Sequence, residues 1–247
     1  MLAYLLIVLA GVWAGAQNAL AGGGSFVTLP TLILSGLDPR AANITSTIAL
    51  FPGQVTTGWV GRKGASGGAG LSFRALAIIS LAGGACGAVL LLTTPASVFA
   101  KLVPWLVLFA TAVFAWGSFF RKHSEVGCAG LGPKRAALVQ FLIAIYGGYF
   151  GGGIGFLMMA ALTVGGWSAK TAAATKNVLA AIMNASAVLI FCFSRGVGWG
   201  QALALGLGAV AGGLIGAWAL KRVPEKALRV VVVLIGAALT VGLFLRR

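Results

Sequence analysis

Lys176 lies about five residues into an otherwise apolar run, residues 172–193. A lysine in such a run either extends its ammonium group to the surface, pairs with an acid or binds an anion. The chain has only three acids, Asp38, Glu125 and Glu225, and all three lie in polar connections between apolar runs. Two interpretations of Lys176 therefore stand side by side, extension to the surface and binding of an anionic substrate.

Amide and hydroxyl side chains recur at a spacing of seven residues in two apolar runs. Thr47 and Gln54 lie in the run 42–60, and Asn177 and Asn184 lie in the later run just described. Residues seven apart share one face of a helix. The four side chains are therefore predicted to line one central pocket as hydrogen-bonding groups for an anion. The alternative is that they bond the two helices to each other.

Two glycine runs precede two short apolar runs, residues 25–34 and 156–164. Glycine lets the backbone approach a ligand closely, and the N-terminus of a helix presents free N–H groups with a partial positive charge. Such a turn can bind an anion, although close packing of helices is the alternative use of membrane glycines. The predicted backbone part of the site comprises Gly22, Gly23, Gly24, Ser25, Gly152 and Gly153.

One basic residue stands at the polar start of each run that carries the amides. Arg40 precedes the first of these runs and Lys170 precedes the second, on opposite sides of the predicted membrane domain. The two side chains are predicted to attract anions at the two entrances to the pocket. Anchoring the orientation of the helices is the alternative role for each of them.

Patterns for catalysis and metal binding are weak. The segment 64–67 reads Gly-Ala-Ser-Gly, which is reminiscent of intramembrane serine proteases, but it lies in a hydrophilic loop, as does the single histidine, His123. The three cysteines are far apart, and no group of histidines and acids has the spacing of metal ligands. We expect no enzyme activity, no catalytic residue, no metal and no cofactor.

The composition indicates which elements position these residues. Of the 247 residues, 60% are hydrophobic and 9% are charged, against roughly 25% charged in ordinary soluble domains. The 18 basic residues lie between apolar runs, where they orient helices and contact anionic lipid, so nucleic acid is not an expected partner. The predicted fold class is an all-α polytopic membrane protein.

The apolar runs form two similar halves of five. Aligning residues 22–45 with 152–175 without a gap matches 7 of 24 positions, and a Gly-Gly-x-x-Gly-Ala segment follows in each half. The predicted domains are a first membrane repeat, residues 1–120, a basic cytoplasmic connector, 121–135, and a second membrane repeat, 136–247. The predicted runs are 2–20, 25–34, 42–60, 71–93 and 98–120, then 136–150, 156–164, 172–193, 202–220 and 227–245.

The distribution of basic residues predicts the topology. If all ten runs cross the membrane, 13 of the 18 basic residues fall on one side, whereas the split is 10 to 8 if the two short runs turn back. The positive-inside rule then favours ten crossings with both termini outside the cytoplasm. Because five crossings per half is an odd number, the two repeats are predicted to have inverted topology. Each short run becomes a broken helix whose irregular chain lines a cavity.

Three segments resemble the sulfite exporter TauE/SafE family. Residues 22–30 read Gly-Gly-Gly-Ser-Phe-Val-Thr-Leu-Pro, residues 36–42 read Gly-Leu-Asp-Pro-Arg-Ala-Ala, and a second copy of the pattern occupies 151–175. With the closing Gly-Gly-x-x-Gly-Ala segments, the resemblance covers essentially the whole chain. The sequence departs from the pattern at Lys176, which stands where the second copy in this family usually has a small hydroxyl residue.

The resemblance implies a permease of the cell inner membrane for sulfite or an organosulfonate. Together with Lys176, it predicts a secondary transporter, acting as an exporter, that moves such an anion by alternating access around a site near the membrane midplane. An anion channel and a non-transporting accessory subunit are the alternatives. The expected partners are the small anion and a bilayer that contains anionic lipids.

Overall fold

The fold is described from a computed structural model over residues 2–20, 23–116, 132–219 and 225–245. Ten α-helices occupy these ranges, which confirms the predicted all-α class. They are α1 (Leu2–Leu20), α2 (Ser25–Leu34), α3 (Pro39–Gly61), α4 (Phe73–Thr93), α5 (Ala96–Ala115), α6 (Pro133–Tyr149), α7 (Ile154–Val164), α8 (Ala169–Cys192), α9 (Trp199–Ala219) and α10 (Glu225–Leu245). Gly22 and most of the predicted connector lie outside the described residues.

Four helices, α3, α6, α8 and α9, begin three residues before the predicted apolar runs, because their first turns contain polar residues. The carboxylate of Asp38 accepts hydrogen bonds from two N–H groups in the first turn of α3, which begins at Pro39. The Ser168 hydroxyl caps α8 in the same way. α6 begins at Pro133, so the end of the predicted connector is already helical.

The predicted short helices after glycine turns are confirmed. α2 has 10 residues and α7 has 11, so each is about 15–17 Å long, roughly half the thickness of the hydrocarbon core. Gly23 precedes α2 with a φ of +85°, and Gly153 precedes α7 with a φ of +75°. Gly36 and Gly166 follow the two helices with φ values of +99° and +96°. These four turns need glycine because side chains rarely tolerate positive φ.

α1 packs against α9, which lies in the second half of the chain, so closely that the backbones of the two helices are in contact. A Cβ at Gly11 would come within 2.3 Å of the Leu205 carbonyl oxygen, and one at Gly15 within 2.0 Å of the Ala209 carbonyl oxygen. The residue numbers of contacting positions increase together along both helices, so the two helices run parallel. This close contact between halves depends on glycine.

α4 and α6 form a similar parallel pair. A Cβ at Gly83 would lie 2.5 Å from the Ala144 side chain, and one at Gly87 would lie 2.7 Å from the Tyr149 nitrogen. α4 is the fourth helix of its half and α6 is the first of the other half. The α1–α9 contact likewise joins the first helix of one half to the fourth helix of the other.

The third helices of the two halves, α3 and α8, also pack together. Gly58 faces Ala181, and Gly61, further along α3, faces Ala174, which lies earlier in α8. α3 and α8 therefore run antiparallel.

The outer surface of the helices is apolar. Among the described residues, three helical segments are long and apolar enough to cross a membrane: Phe73–Thr93, Ala96–Val113 and Lys170–Cys192. Shorter apolar stretches lie in α1, α2, α7, α9 and α10. Large side chains such as Leu207, Leu214 and Val60 are exposed, as expected of surfaces that contact lipid rather than water.

Candidate functional site

Lys176 lies on α8 and faces the first turn of α7. A Cβ at Gly155 would be 3.7 Å from both Cδ and Nζ of this lysine. The side chain is partly buried, and within the described ranges it has neither a hydrogen-bond partner nor an ion-pair partner. Ile154, Met158 and Leu179 belong to the buried apolar cluster of the same helices. The ammonium group therefore lies beside a helix N-terminus with no acid to balance its charge.

The predicted residues Gly152 and Gly153 form the turn before α7, next to the first helical turn that Lys176 faces. A Cβ at Gly152 would lie 2.6 Å from the Phe150 ring, and one at Gly153 would lie 3.1 Å from the Ala110 Cβ. The Tyr146 hydroxyl donates a hydrogen bond of 2.9 Å to the Gly152 carbonyl oxygen. The helix start has no side-chain cap, so its first N–H groups are available to a ligand.

The turn before α2 is held by polar residues at the end of α1. The Gly24 N–H donates to Asn18 Oδ1 at 2.8 Å. Gln17 accepts a hydrogen bond of 2.9 Å from the Trp13 indole, and its Nε2 would lie 3.1 Å from a Cβ at Gly23. This glycine turn is therefore fixed by neighbouring amides.

Sequence reasoning missed Asn18, Gln17 and Tyr146 as parts of these turns. Only their position in the sequence could have indicated this role, because each is a polar side chain near the end of an apolar run and just before a glycine run. Ser25, which was predicted, is partly buried in the first turn of α2.

Gln54 and Asn184 come to the same level of the antiparallel α3–α8 contact. Gln54 lies four residues before Gly58, and Asn184 lies three residues after Ala181, which Gly58 faces. Gln54 Oε1 and Asn184 Nδ2 are buried and have no hydrogen-bond partner in the described part of the chain. Buried amide atoms without partners are costly, so this level of the contact is a candidate ligand position.

Thr47 and Asn177 do not come together. The Asn177 carbonyl oxygen would lie 3.3 Å from a Cβ at Gly58, whereas Thr47 precedes Gly58 by 11 residues in the same helix, roughly 16 Å along the axis. The Thr47 hydroxyl donates to the Asn43 carbonyl oxygen at 2.9 Å. The four predicted polar side chains are therefore spread along the contact, with Gln54 and Asn184 at its middle.

The first half carries a neutral pair where the second half carries Lys176. Ser46 aligns with Lys176, and its hydroxyl shares a buried hydrogen bond of 2.6 Å with the Thr28 hydroxyl of α2. The α2–α3 contact is thus satisfied within the protein, whereas the α7–α8 contact has a charge without a partner.

Two threonines at aligned positions hold loops that belong to the opposite half. Thr45 Oγ1 accepts a hydrogen bond of 3.0 Å from the Gly198 N–H, in the loop after α8. Thr175 Oγ1 accepts one of 3.1 Å from the Ser66 N–H, in the loop after α3. Ser66 also accepts a hydrogen bond from the Trp167 indole through its carbonyl oxygen, which gives this serine a structural role.

Arg40 and Lys170 stand at opposite ends of the α3–α8 pair, because the two helices are antiparallel and each residue lies in a first turn. Arg40 Nη1 donates to the carbonyl oxygens of Leu92 and Thr94, at 3.3 and 2.9 Å. Lys170 is exposed. Across the described ranges, no group of three or more histidines, cysteines and acids could hold a metal ion.

Comparison with known proteins gives the same class of protein. The family profile "Sulfite exporter TauE/SafE" matches residues 7–243. A protein of a Sinorhizobium species named "Probable membrane transporter protein ORF9" is 27% identical, over 98% of this chain and 92% of its own length. The "Probable membrane transporter protein" of Haemophilus influenzae is 26% identical, over 97% and 93%.

The relative YfcA of Escherichia coli K12, also named as a probable membrane transporter, is 27% identical over 93% of this chain and 85% of its own. No solved structure matches the chain. The family match spans nearly every helix, and these relatives are named as probable membrane transporters and not as enzymes. The chain is a multi-pass membrane protein that belongs to the TauE/SafE sulfite exporter family.

Proposed function

We propose that this protein is a secondary transporter that exports a small oxyanion, sulfite or an organosulfonate, by alternating access. The observation that carries the proposal is the unpaired ammonium group of Lys176 beside the uncapped start of α7. Both features are positive, so they repel each other unless an anion lies between them. An oxyanion has enough acceptor oxygens to bond the ammonium group and the N–H groups at once.

The middle of the α3–α8 contact supplies the neutral part of the proposed site. Gln54 and Asn184 lie there with unpartnered amide atoms, and a bound oxyanion or its water shell would satisfy the Asn184 NH₂ group. Thr47 and Asn177 lie on either side of this level, so we assign them to the path that leads to it. Gly23, Gly24 and Ser25 form the corresponding backbone turn of the first half, and the sequence adds Gly22, which lies outside the described residues, to the same proposed segment.

Inverted repeats are supported by the directions of the helices. A two-fold axis in the membrane plane exchanges α1 with α6 and α9 with α4, so it converts one observed parallel pair into the other. The same axis requires α3 and α8 to be antiparallel, as their glycine contacts indicate. If the short helices turned back instead, α3 and α8 would run parallel.

The reciprocal loop contacts support alternating access. Thr45 holds the loop after α8 at one end of the α3–α8 pair, and Thr175 holds the loop after α3 at the other. Tilting one half against the other would release one contact while keeping its counterpart, which opens one side at a time.

Isosteric replacement of the two central amides is expected to weaken substrate binding. Gln54→Met and Asn184→Leu keep side-chain size but remove the hydrogen-bonding groups, so each should raise KM by about tenfold or more, as for a lost buried hydrogen bond. The measurement is the concentration dependence of sulfite or isethionate efflux from proteoliposomes.

The control for both variants is Thr56→Val, an isosteric change on α3 whose hydroxyl is exposed and bonds only within its own helix. It should leave KM unchanged. Equal KM values for the wild type, Gln54→Met and Asn184→Leu would remove these amides from the proposed site.

The two alternative functions, an anion channel and a non-transporting accessory subunit, predict different anion flux in proteoliposomes. A carrier accelerates efflux of labelled anion when unlabelled anion is present on the far side, whereas a channel does not. A non-transporting accessory subunit would give no flux in liposomes. Trans-acceleration of labelled sulfite by unlabelled sulfite is the result that supports the proposed carrier.

The proposed topology, with both termini outside the cytoplasm, predicts the side from which two exposed positions can be labelled. In a chain whose three cysteines are replaced by serine, Thr93→Cys at the end of α4 should react with an impermeant maleimide on intact cells. Lys63→Cys, after α3, should react only once the membrane is opened, because the side with more basic residues is cytoplasmic. The reverse pattern would mean that the topology is inverted or that α2 turns back, and labelling of both positions on intact cells would contradict a crossing by α4.

A further inference from the structure

A cavity of about 210 Å³ lies at the end of the molecule where α3 begins and α8 ends. It is the end to which Thr45 fastens the loop after α8. Basic and polar groups line it together with the apolar side chains of Ile44 and Leu92. The volume corresponds to about seven waters at 30 Å³ each, so a small hydrated ion fits. We call it the loop cavity.

Arg40 lines the loop cavity, and two hydrogen bonds hold its guanidinium group in position. Its Nη1 group donates to two carbonyl oxygens at the end of α4, those of Leu92 and Thr94. The Nε and Nη2 groups remain as further donors. A guanidinium that is already positioned loses less entropy when it binds an oxyanion.

Three residues of the loop after α8 also line the cavity. Arg195 lines the cavity beside Ser194, whose hydroxyl oxygen is buried and has no hydrogen-bond partner in the described part of the chain. A buried hydroxyl without a partner is destabilising unless a ligand or water satisfies it. The lining of the cavity thus includes two arginines and one serine with an unsatisfied hydroxyl.

The single acid of the cavity is already engaged. Asp38 Oδ1 accepts hydrogen bonds from the backbone N–H groups of Arg40 and Ala41, at 3.0 and 3.1 Å, as the cap of α3. Within the described ranges it forms no ion pair with Arg40 or Arg195. The net charge of the lining side chains is therefore +1.

We propose that the loop cavity is a second oxyanion-binding site, formed by Arg40, Arg195 and Ser194. Its ligand carries at least two acceptor oxygens, one for each guanidinium, with the serine hydroxyl as a further donor. Such an oxyanion is a free sulfite or sulfonate, or the phosphate of a lipid headgroup. Binding stands on the cavity alone, whereas a role as the release site of the exporter rests on the proposed function.

This site is separate from the central one. Arg40 precedes Gln54 by 14 residues in α3, roughly 21 Å along the helix axis. Lys176 lies near the start of α8, and the cavity lies beyond the end of that helix. Variants in the loop cavity and at Lys176 can therefore be combined to test each site by itself.

The test uses the full-length protein in detergent, with inorganic sulfate as the free probe and a Lys176→Met background that disables the central site. Sulfate should still raise the unfolding temperature in this background. Adding Arg195→Gln should weaken the apparent sulfate affinity by about tenfold, and adding Ser194→Ala by about threefold, as for the loss of a charged and a neutral hydrogen bond. Neither variant removes the Arg40 contacts that tie α3 to α4.

Arg74→Gln, an exposed basic residue on α4 outside the cavity, is the matched control and should leave the affinity unchanged. The proposal is overturned if sulfate has no effect in the Lys176→Met background, or if its effect is the same with Arg195→Gln and Ser194→Ala. Native mass spectrometry separates the two ligand sources. Phosphatidylglycerol retained by the wild type and lost in Arg195→Gln would assign the site to a lipid phosphate, and sulfate binding without retained lipid would assign it to a free anion.

Discussion

Replacing Lys176 with methionine is expected to abolish anion transport while stabilising the ligand-free protein. Methionine has a similar length but no charge, so it removes the group that balances the anion. Truncating one partner of a buried charge pair costs about 2–5 kcal/mol, which corresponds to a loss of at least about thirtyfold in kcat/KM. The ligand-free protein should gain about 1 kcal/mol or more, because an unpaired charge no longer lies between α7 and α8.

Two measurements check this result, efflux of labelled sulfite from proteoliposomes and the unfolding temperature without substrate. Lys176→Arg should keep part of the transport, since it retains the charge. Lys134→Met is the matched control, because Lys134 is exposed at the start of α6 and its loss should change neither quantity.

The opposite combination would remove the main support of the proposed site. If Lys176 only extends to the membrane surface, Lys176→Met leaves transport intact and does not stabilise the protein. A variant that loses both transport and stability would indicate a structural role for the lysine. Only the loss of transport with a gain in stability supports a charge kept for an anionic substrate.

The helices were predictable because long apolar runs and glycine turns leave few alternatives in a membrane. The exact starts of α3 and α8 were not, since an apolar run ends where hydropathy falls. The helix continues three residues further, through Pro39 and Ala169, to the caps provided by Asp38 and Ser168. Such caps satisfy backbone N–H groups and leave no mark on hydropathy.

The polar face of each third helix was also predictable, but which of its residues meet across the contact was not. A spacing of seven residues places Thr47 with Gln54, and Asn177 with Asn184, whichever way the helices run. Because α3 and α8 are antiparallel, the pair nearest the centre of the contact meets and the outer pair is separated. The register of α3 against α8 is set by the contact of Gly58 with Ala181. The residue pattern of one helix alone does not reveal such a packing contact.

The residues that hold the two glycine turns escaped prediction for a related reason. Asn18 and Tyr146 bond the backbone of the turns, at Gly24 and Gly152. The two halves use different side chains, from different positions, for the same purpose. Alignment of the halves therefore finds the conserved turn geometry at Gly23 and Gly153 but not the groups that fix it.

Substitution of Gly212 by alanine is expected to disrupt the contact between α1 and α9 and lower the yield of folded protein. A Cβ at this position would lie 1.8 Å from the Val12 carbonyl oxygen, which belongs to helix backbone. Helix backbone cannot shift at one residue alone, so α1 and α9 must move apart along their contact, which joins the two halves. Overpacking of this kind costs about 1–3 kcal/mol, occasionally more.

The neighbouring Gly213→Ala is the matched control, because a Cβ at Gly213 meets no atom within 4 Å. Both changes raise helix propensity by about 1 kcal/mol, so they differ only in whether the added methyl group meets α1. Unfolding temperature in detergent, together with the monodisperse fraction after purification, should fall for Gly212→Ala and stay level or rise for Gly213→Ala. Equal behaviour of the two variants would mean that α1 and α9 do not approach as described, and the pairing of first and fourth helices across the halves would lose its physical basis.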